Sequence, residues 1–232
     1  MHHDEICNKI RGGLIVSCQA LAHEPLHGAD IMAKMALAAK QGGACGIRAN
    51  TIVDIAAIRA AVDLPVIGII KREYADSAVY ITPTMDEVDA LCDAGVEIIA
   101  TDATNRPRPN GASLQSFFEE ARKKYPKALF MADCSNLEEA VQAEALGFDF
   151  VGSTLSGYTP YTADAPAPNL PLLAAMYERL KTPIIAEGGI HSPEQAAEAL
   201  RLGALAVVVG GAITRPQEIT ARFAAKVQEA LR

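Results

Sequence analysis

Eight short apolar, β-branched runs recur along this chain, and each is followed by an Ala/Leu/Glu-rich stretch with helical spacing. The runs occupy residues 14–17, 45–47, 66–70, 97–100, 128–131, 150–152, 184–186 and 206–209. A strand without polar alternation is buried on both faces, and the economical way to bury many such strands is a parallel sheet covered by helices. The intervening stretches carry helix signals: residues 85–94 stop at Gly95, 137–146 stop at Gly147, and 193–202 open on Ser192-Pro193 and stop at Gly203. Eight units in 232 residues leave roughly 29 residues per unit and no Gly/Ser linker. The expectation is an α/β fold, a single (β/α)8 TIM barrel spanning residues 1–232 as one catalytic domain. A doubly wound open sheet is the competitor. It wants a G-x-G-x-x-G turn after the first strand, where this chain has Cys18-Gln19-Ala20.

Composition narrows the class of partner. A hydrophobic share of 50% supports a large core, and a formal charge of -7 disfavours nucleic acid and anionic membranes, which want a basic face. A few local cations can still hold a small anion. The five cysteines, Cys7, Cys18, Cys45, Cys92 and Cys134, form no C-x-x-C pair and no metal-ligand spacing, so they read as reduced, mostly buried thiols. No apolar run approaches the ~20 residues of a membrane span and no apolar signal region opens the chain, so a soluble cytoplasmic protein is expected. No His/Cys/Asp cluster calls for a metal and no nucleotide fingerprint for NAD or ATP, so neither metal nor cofactor is expected.

In a barrel the reacting groups sit at the C-terminal ends of the strands. That filter selects Gln19, Arg48, Lys71, the Thr101/Asp102/Thr104 group, Asp133, Ser153 with Thr154, and Glu187, one after another around the ring. A whole ring of polar and charged groups at apolar strand ends is costly to bury unless the groups serve one another or a ligand. The last two units add a second signal, because both strands end in Gly-Gly: Gly188-Gly189 and Gly210-Gly211, followed by Arg215. Loops after strands seven and eight are a recurrent phosphate cradle in this fold, and an arginine adds a direct cationic contact. Ordinary turns are the alternative role for these glycines.

The segments Gly13-Leu14-Ile15-Val16-Ser17-Cys18-Gln19-Ala20, Gly46-Ile47-Arg48-Ala49-Asn50, Gly68-Ile69-Ile70-Lys71-Arg72 and Ala100-Thr101-Asp102-Ala103-Thr104 resemble the N-acetylmannosamine-6-phosphate 2-epimerase family. So do Met131-Ala132-Asp133, the stretch from Val151 to Thr159, and Ala186-Glu187-Gly188-Gly189-Ile190. The resemblance runs in order from about Gly13 to Arg215. It implies interconversion of N-acetylmannosamine 6-phosphate and N-acetylglucosamine 6-phosphate, a step of bacterial sialic acid breakdown, so the expected partner is a small amino-sugar phosphate. It also implies Lys71 and Glu187 as catalytic residues, Gln19, Arg48 and Asp133 as substrate-binding residues, and a homodimer. Thr154 joins the substrate-binding candidates.

Inverting C2 without redox chemistry means removing its proton and returning it to the other face. That proton is acidic only when C1 is a carbonyl, so the open-chain aldehyde is the reacting form. Lys71 serves as base only when neutral, which calls for burial or neighbouring cations, with Arg48 and Arg72 as candidates. Glu187 would pull the other way, and the two groups can share one proton. Bland alternatives stand beside these roles: Lys71 and Glu187 as a structural ion pair, Asp133 and Asp102 as helix caps, and His23 and His27 as ordinary loop residues. Tyr158 and Tyr161, in the loop of residues 157–168, read as a lid. Two rival functions are a Schiff-base aldolase using Lys71 and a non-catalytic sugar-phosphate sensor. The final helix, residues 217–231, carries Ile219, Phe223, Val227 and Leu231 on one stripe, which packing on its own barrel would explain.

Overall fold

The structure, a computed structural model, describes residues 3–230. Its strands are β1 (Gly13–Cys18), β2 (Gly46–Asn50), β3 (Val66–Ile69), β4 (Ile98–Asp102), β5 (Leu129–Asp133), β6 (Phe150–Gly152), β7 (Ile184–Glu187) and β8 (Ala206–Val209). They pair in parallel, each with the next, and β8 returns to β1 in a closed barrel. The helices are α1 (His3–Ile10), α2 (Ala29–Gln41), α3 (Ile52–Ala61), α4 (Met85–Asp93), α5 (Leu114–Lys124), α6 (Leu137–Leu146), α7 (Leu170–Arg179), α8 (Pro193–Arg201), α9 (Gly211–Thr214) and α10 (Pro216–Glu229). The expected barrel is therefore present, and all eight expected strands lie on observed ones. Among the described residues no helix is long and apolar enough to cross a membrane.

Strand parity divides the core in two. Ile15, Ile67, Ile69, Ile98, Leu129, Met131, Phe150, Ile185, Ala206 and Val208 fill the barrel interior, while the alternate strand residues Val16, Ile47, Val66, Ile99, Phe130, Val151 and Val207 pack outward against the helices. The interior set stops before the C-terminal rim. There the same parity presents Gln19, Arg48, Lys71, Asp133, Thr154 and Glu187. Helix α1 closes the opposite end: Ile6, Cys7 and Ile10 are buried in the interior cluster. This helix was not expected, although its apolar residues recur at i, i+1 and i+4.

Two other departures concern the rim and the end of the chain. Strands β2, β4 and β5 run past their expected ends, so Arg48, Asp102 and Asp133 lie within strands rather than after them. Helix α10 has no buried residue, with Phe223 71% and Val227 64% exposed, which overturns the expectation that its stripe packs on its own barrel; Leu231 lies outside the described residues. An apolar groove of about 400 Å³, bordered by Leu14, Ala196, Leu200, Val207, Val209 and Ile213, lies open beside α8 and β8.

Candidate active site

A cavity of about 300 Å³ opens at the C-terminal rim, within the range of small-molecule sites. Gln19, Arg48, Lys71, Thr154 and Glu187 line it, and so do Gly188, Gly189, Gly210, Gly211 and Arg215. The fold thus brings ten of the eleven sequence-selected residues to one cavity, and the eleventh, Asp133, lies directly beneath it.

Arg48 is the hub. Its Nη1 and Nη2 donate to the two carboxylate oxygens of Asp133 at 3.0 and 2.6 Å, and Nη1 also donates to Glu187 Oε2 at 2.8 Å. Burial opposes the guanidinium charge, but Asp133 and Glu187 outweigh it and hold Arg48 protonated above its ordinary range. Thr154 Oγ1 donates to Asp133 Oδ1 at 2.6 Å and lies 3.3 Å from Glu187 Oε2. These bonds fix both carboxylates in place. Asp133 is not a helix cap, since Asn136 caps α6.

Lys71 forms no such bond. Among the described residues no carboxylate pairs with it, and Glu187 is engaged by Arg48 instead, so the structural Lys71–Glu187 ion pair is absent. Burial lowers the Lys71 pKa to about 8, helped by the positive charges of Arg48 and Arg215 and resisted by Glu187 and Asp133. Arg72, the other expected source of that push, is half-exposed and pairs with Glu87 at 2.8 Å. Arg215 takes its place. Glu187 is shifted the opposite way: burial raises it to about 7, with Asp133 adding to the effect and Arg48 and Lys71 opposing it.

The inward position of Lys71 has a local cause. After β3 the chain turns back, and Lys71 bridges antiparallel to Ile81; Thr82 N–H donates to the Ile70 carbonyl at 2.8 Å, and Asp102 N–H to the Ile81 carbonyl at 3.0 Å. The segment of residues 80–82 is a wedge between β3 and β4, whose direct pairing is confined to Ile67↔Ile98 and Gly68↔Ile99. Arg108 locks the wedge. It is fully buried and donates to the carbonyls of Thr82 at 2.8 Å, Pro83 at 3.0 Å and Asp102 at 2.5 Å. Sequence reasoning missed this residue, because nothing local marks a loop arginine as a clamp on carbonyls far from it in the chain.

The end of the cavity at the two Gly-Gly turns is built from backbone. Gly188 and Gly189 have φ of 108° and 66°, which side chains rarely adopt, and a Cβ on Gly189 would come within 2.6 Å of the Ala167 methyl. Arg215 Nε donates to Glu24 Oε1 at 2.7 Å and lies 3.5 Å from Glu218 Oε1. Burial works to raise Glu24, but the Leu21 N–H and Arg215 prevail and hold it below the usual carboxylate range. Neither acid was singled out from the sequence: Glu218 lies in the first turn of α10, where an acid reads as a partner of the helix dipole, and Glu24 lies in the loop between β1 and α2. Gln19 contributes an unsatisfied acceptor: its Nε2 donates to Ser17 Oγ at 2.8 Å, and its buried Oε1 has no partner among the described residues.

The remaining candidates separate. Tyr158 borders the cavity and is 61% exposed, as a lid residue would be. Tyr161 instead donates to Glu139 at 2.5 Å, outside the cavity. Asp102 accepts from Thr104 N–H at 3.0 Å and from Arg106 at 2.6 Å, so it organises its own turn and caps no helix. His27 Nδ1 lies 3.2 Å from the Ala20 carbonyl, an ordinary loop contact. No group of three or more His, Cys, Asp and Glu among the described residues could hold a metal ion.

The family model described as "Putative N-acetylmannosamine-6-phosphate epimerase" matches residues 32–229. Proteins named as the corresponding 2-epimerase in Listeria monocytogenes serovar 1/2a and Enterobacter sp. (strain 638) are 53% and 55% identical, over 97% and 96% of this chain and 96% of each relative. The solved structure of the N-acetylmannosamine-6-phosphate 2-epimerase from Clostridium perfringens superposes with a TM-score of 0.92 at 52% identity, covering 97% of both chains. A thiamine phosphate pyrophosphorylase from Pyrococcus furiosus, TM-score 0.61 at 21% identity over 91% of both chains, shares the fold alone.

Proposed function

This chain belongs to the N-acetylmannosamine-6-phosphate epimerase family, and from that premise we propose how its site works and what it acts on. It is a carbohydrate epimerase, an isomerase that interconverts N-acetylmannosamine 6-phosphate and N-acetylglucosamine 6-phosphate through the open-chain aldehyde, in amino-sugar catabolism. The observation that carries the assignment of roles is an unpaired Lys71, its pKa lowered by burial, beside a carboxyl whose pKa burial raises.

Neutral Lys71 takes the C2 proton. The C–H electron pair forms the C1=C2 double bond, and the carbonyl pair moves to O1, which takes a proton from Glu187. The enol then turns its other face to Lys71: the Lys71 ammonium gives a proton to C2 while O1–H returns its proton to Glu187, which re-forms the aldehyde, restores both groups and completes the inversion. Arg48 supports the negative charge that builds during the first step, without itself exchanging a proton. Thr154 and Asp133 hold the sugar hydroxyls, and Gln19 Oε1 accepts from the substrate the hydrogen bond that the protein does not give it. The phosphate sits on the backbone of Gly188, Gly189, Gly210 and Gly211, with Arg215 against it. The barrel itself carries all of this chemistry as one domain and needs no cofactor.

Two coarser properties complete the reading. The chain acts as a homodimer in which the apolar stripe of α10, exposed on its own barrel, covers the open groove beside α8 and β8 of a second copy. Its five cysteines are all free, which suits the reducing cytoplasm.

The test is proton NMR with N-acetylmannosamine 6-phosphate in deuterated water. Loss of the C2 proton signal together with growth of the N-acetylglucosamine 6-phosphate resonances is expected. An unchanged spectrum after hours with folded protein ends the epimerase reading, and borohydride trapping of an adduct on Lys71 would turn it toward an aldolase.

A further inference from the structure

Two carboxylates of different character share Arg215. Glu24 is built in: its side chain is 8% exposed, it accepts from Arg215 Nε at 2.7 Å, and its other oxygen accepts from the Leu21 N–H at 2.6 Å. Glu218 is loosely placed: it lies on the first turn of α10, its side chain is 43% exposed, and it stands 3.5 Å from the same Nε. It also covers Gly211, where an added Cβ would come within 2.1 Å of Glu218 Oε2. A carboxylate therefore rests on one of the bare glycines assigned to the phosphate cradle, against the cradle's own arginine.

We propose that Glu218 is a resident stand-in for the phosphate, which the substrate must displace to bind, while Glu24 stays and holds Arg215 in its binding orientation. The inference rests on the phosphate cradle described under the proposed function. Its physical basis is a competition between anions for one seat. A carboxylate brings one negative charge and two oxygens. A sugar phosphate near neutral pH brings close to two charges and three terminal oxygens, so it makes more of the charge-assisted hydrogen bonds on offer. Displacing a half-exposed acid into solvent costs little, because surface ion pairs of this kind are weak. A neutral sugar has nothing with which to displace it. Glu218 thereby raises the threshold for entry and favours phosphorylated over unphosphorylated amino sugars, a selection by competition as much as by attraction.

The two acids predict opposite effects, which makes the idea sharp. Inorganic phosphate is titrated calorimetrically into the full-length protein and its Glu218→Gln, Glu24→Gln and Arg215→Gln variants, with KM for N-acetylmannosamine 6-phosphate measured in parallel. In Glu218→Gln phosphate binding tightens by about 3- to 10-fold and KM falls, since a like charge has left the seat. In Glu24→Gln both weaken by about 10-fold, since Arg215 loses its anchor. Unchanged or weaker phosphate binding in Glu218→Gln, with Arg215→Gln clearly weakened, overturns the stand-in and leaves the cradle in place. If Arg215→Gln also binds phosphate as the native protein does, the cradle reading fails and the stand-in with it.

Discussion

Arg48 and Asp133 face each other from β2 and β5 through two parallel hydrogen bonds of 3.0 and 2.6 Å, with side chains 1% and 0% exposed. A buried pair of this kind is a weak source of stability but a firm source of geometry. Because Arg48 Nη1 also reaches Glu187, the pair fixes the carboxyl proposed as the proton donor to O1. Arg48→Lys retains the charge but cannot span both partners, so kcat/KM falls by about 10²–10³ while the circular dichroism spectrum stays native. Native-like turnover in Arg48→Lys would reduce the network to scaffolding.

Lys71→Ala removes the proposed base. Deuterium incorporation at C2 drops by about 10²–10⁴, the usual worth of general base catalysis, and epimerisation drops with it. In Glu187→Gln incorporation at C2 persists at a reduced rate while net conversion suffers more, because the carbon acid can still be ionised but O1 lacks its proton donor. Equal losses in both readouts would place Glu187 at carbon rather than oxygen.

The pH dependence follows from the directions of the two shifts. Below about 7 both Lys71 and Glu187 are protonated and the base is lost; above about 8 both are deprotonated and the acid is lost. The pair carries one proton only between these values, so kcat/KM is bell-shaped with its maximum near pH 7.5. Within that window the proton resides more on Lys71 than on Glu187, so the productive arrangement, neutral Lys71 beside protonated Glu187, is the minor one. A stopped assay across pH 5.5–9.5 at fixed ionic strength checks this, and a flat profile would refute it.

Arg108 holds the carbonyls of Thr82, Pro83 and Asp102, at the end of the wedge, just after it and on β4, and is fully buried, so Arg108→Met strands those acceptors. The expected cost is about 3–5 kcal/mol, seen as a fall in Tm of roughly 10 °C by calorimetry. The surviving folded fraction turns over slowly as well, since Ile81 no longer sets the position of Lys71.

The dimer has its own check. Light scattering after gel filtration gives twice the chain mass for the native protein, whereas Phe223→Asp and Val227→Asp run as monomers with their barrels folded. A native protein that is monomeric at every concentration tested rules out the exchange of α10.

Much of this architecture is legible in the sequence because the barrel writes its interior at every second residue. Ile67, Ile69 and Lys71 share one face of one strand, as do Leu129, Met131 and Asp133, so a polar residue that continues an apolar parity is pointing into the top of the barrel. The same polar residues made β2, β4 and β5 read too short, since a charged side chain looks like the end of a buried strand when its partner is out of sight. Arg48 and Asp133 are mutually explained only in three dimensions. The wedge at residues 80–82 and its clamp by Arg108 left no periodic trace, being held by carbonyls rather than by patterned side chains. The stripe on α10 was visible, but an amphipathic helix carries the same pattern whether it covers its own barrel or another.

Helix α1 seals the far end of the barrel with Ile6, Cys7 and Ile10. The site is accordingly a well with one mouth. Substrate, product and the solvent that refreshes the proton on Lys71 must all pass the same opening, and none can enter from below while a sugar sits above. The isotope content of the product is then a clock: product released with its original hydrogen left before the mouth reopened to water, and the fraction doing so compares the lifetime of the occupied well with the rate of inversion inside it.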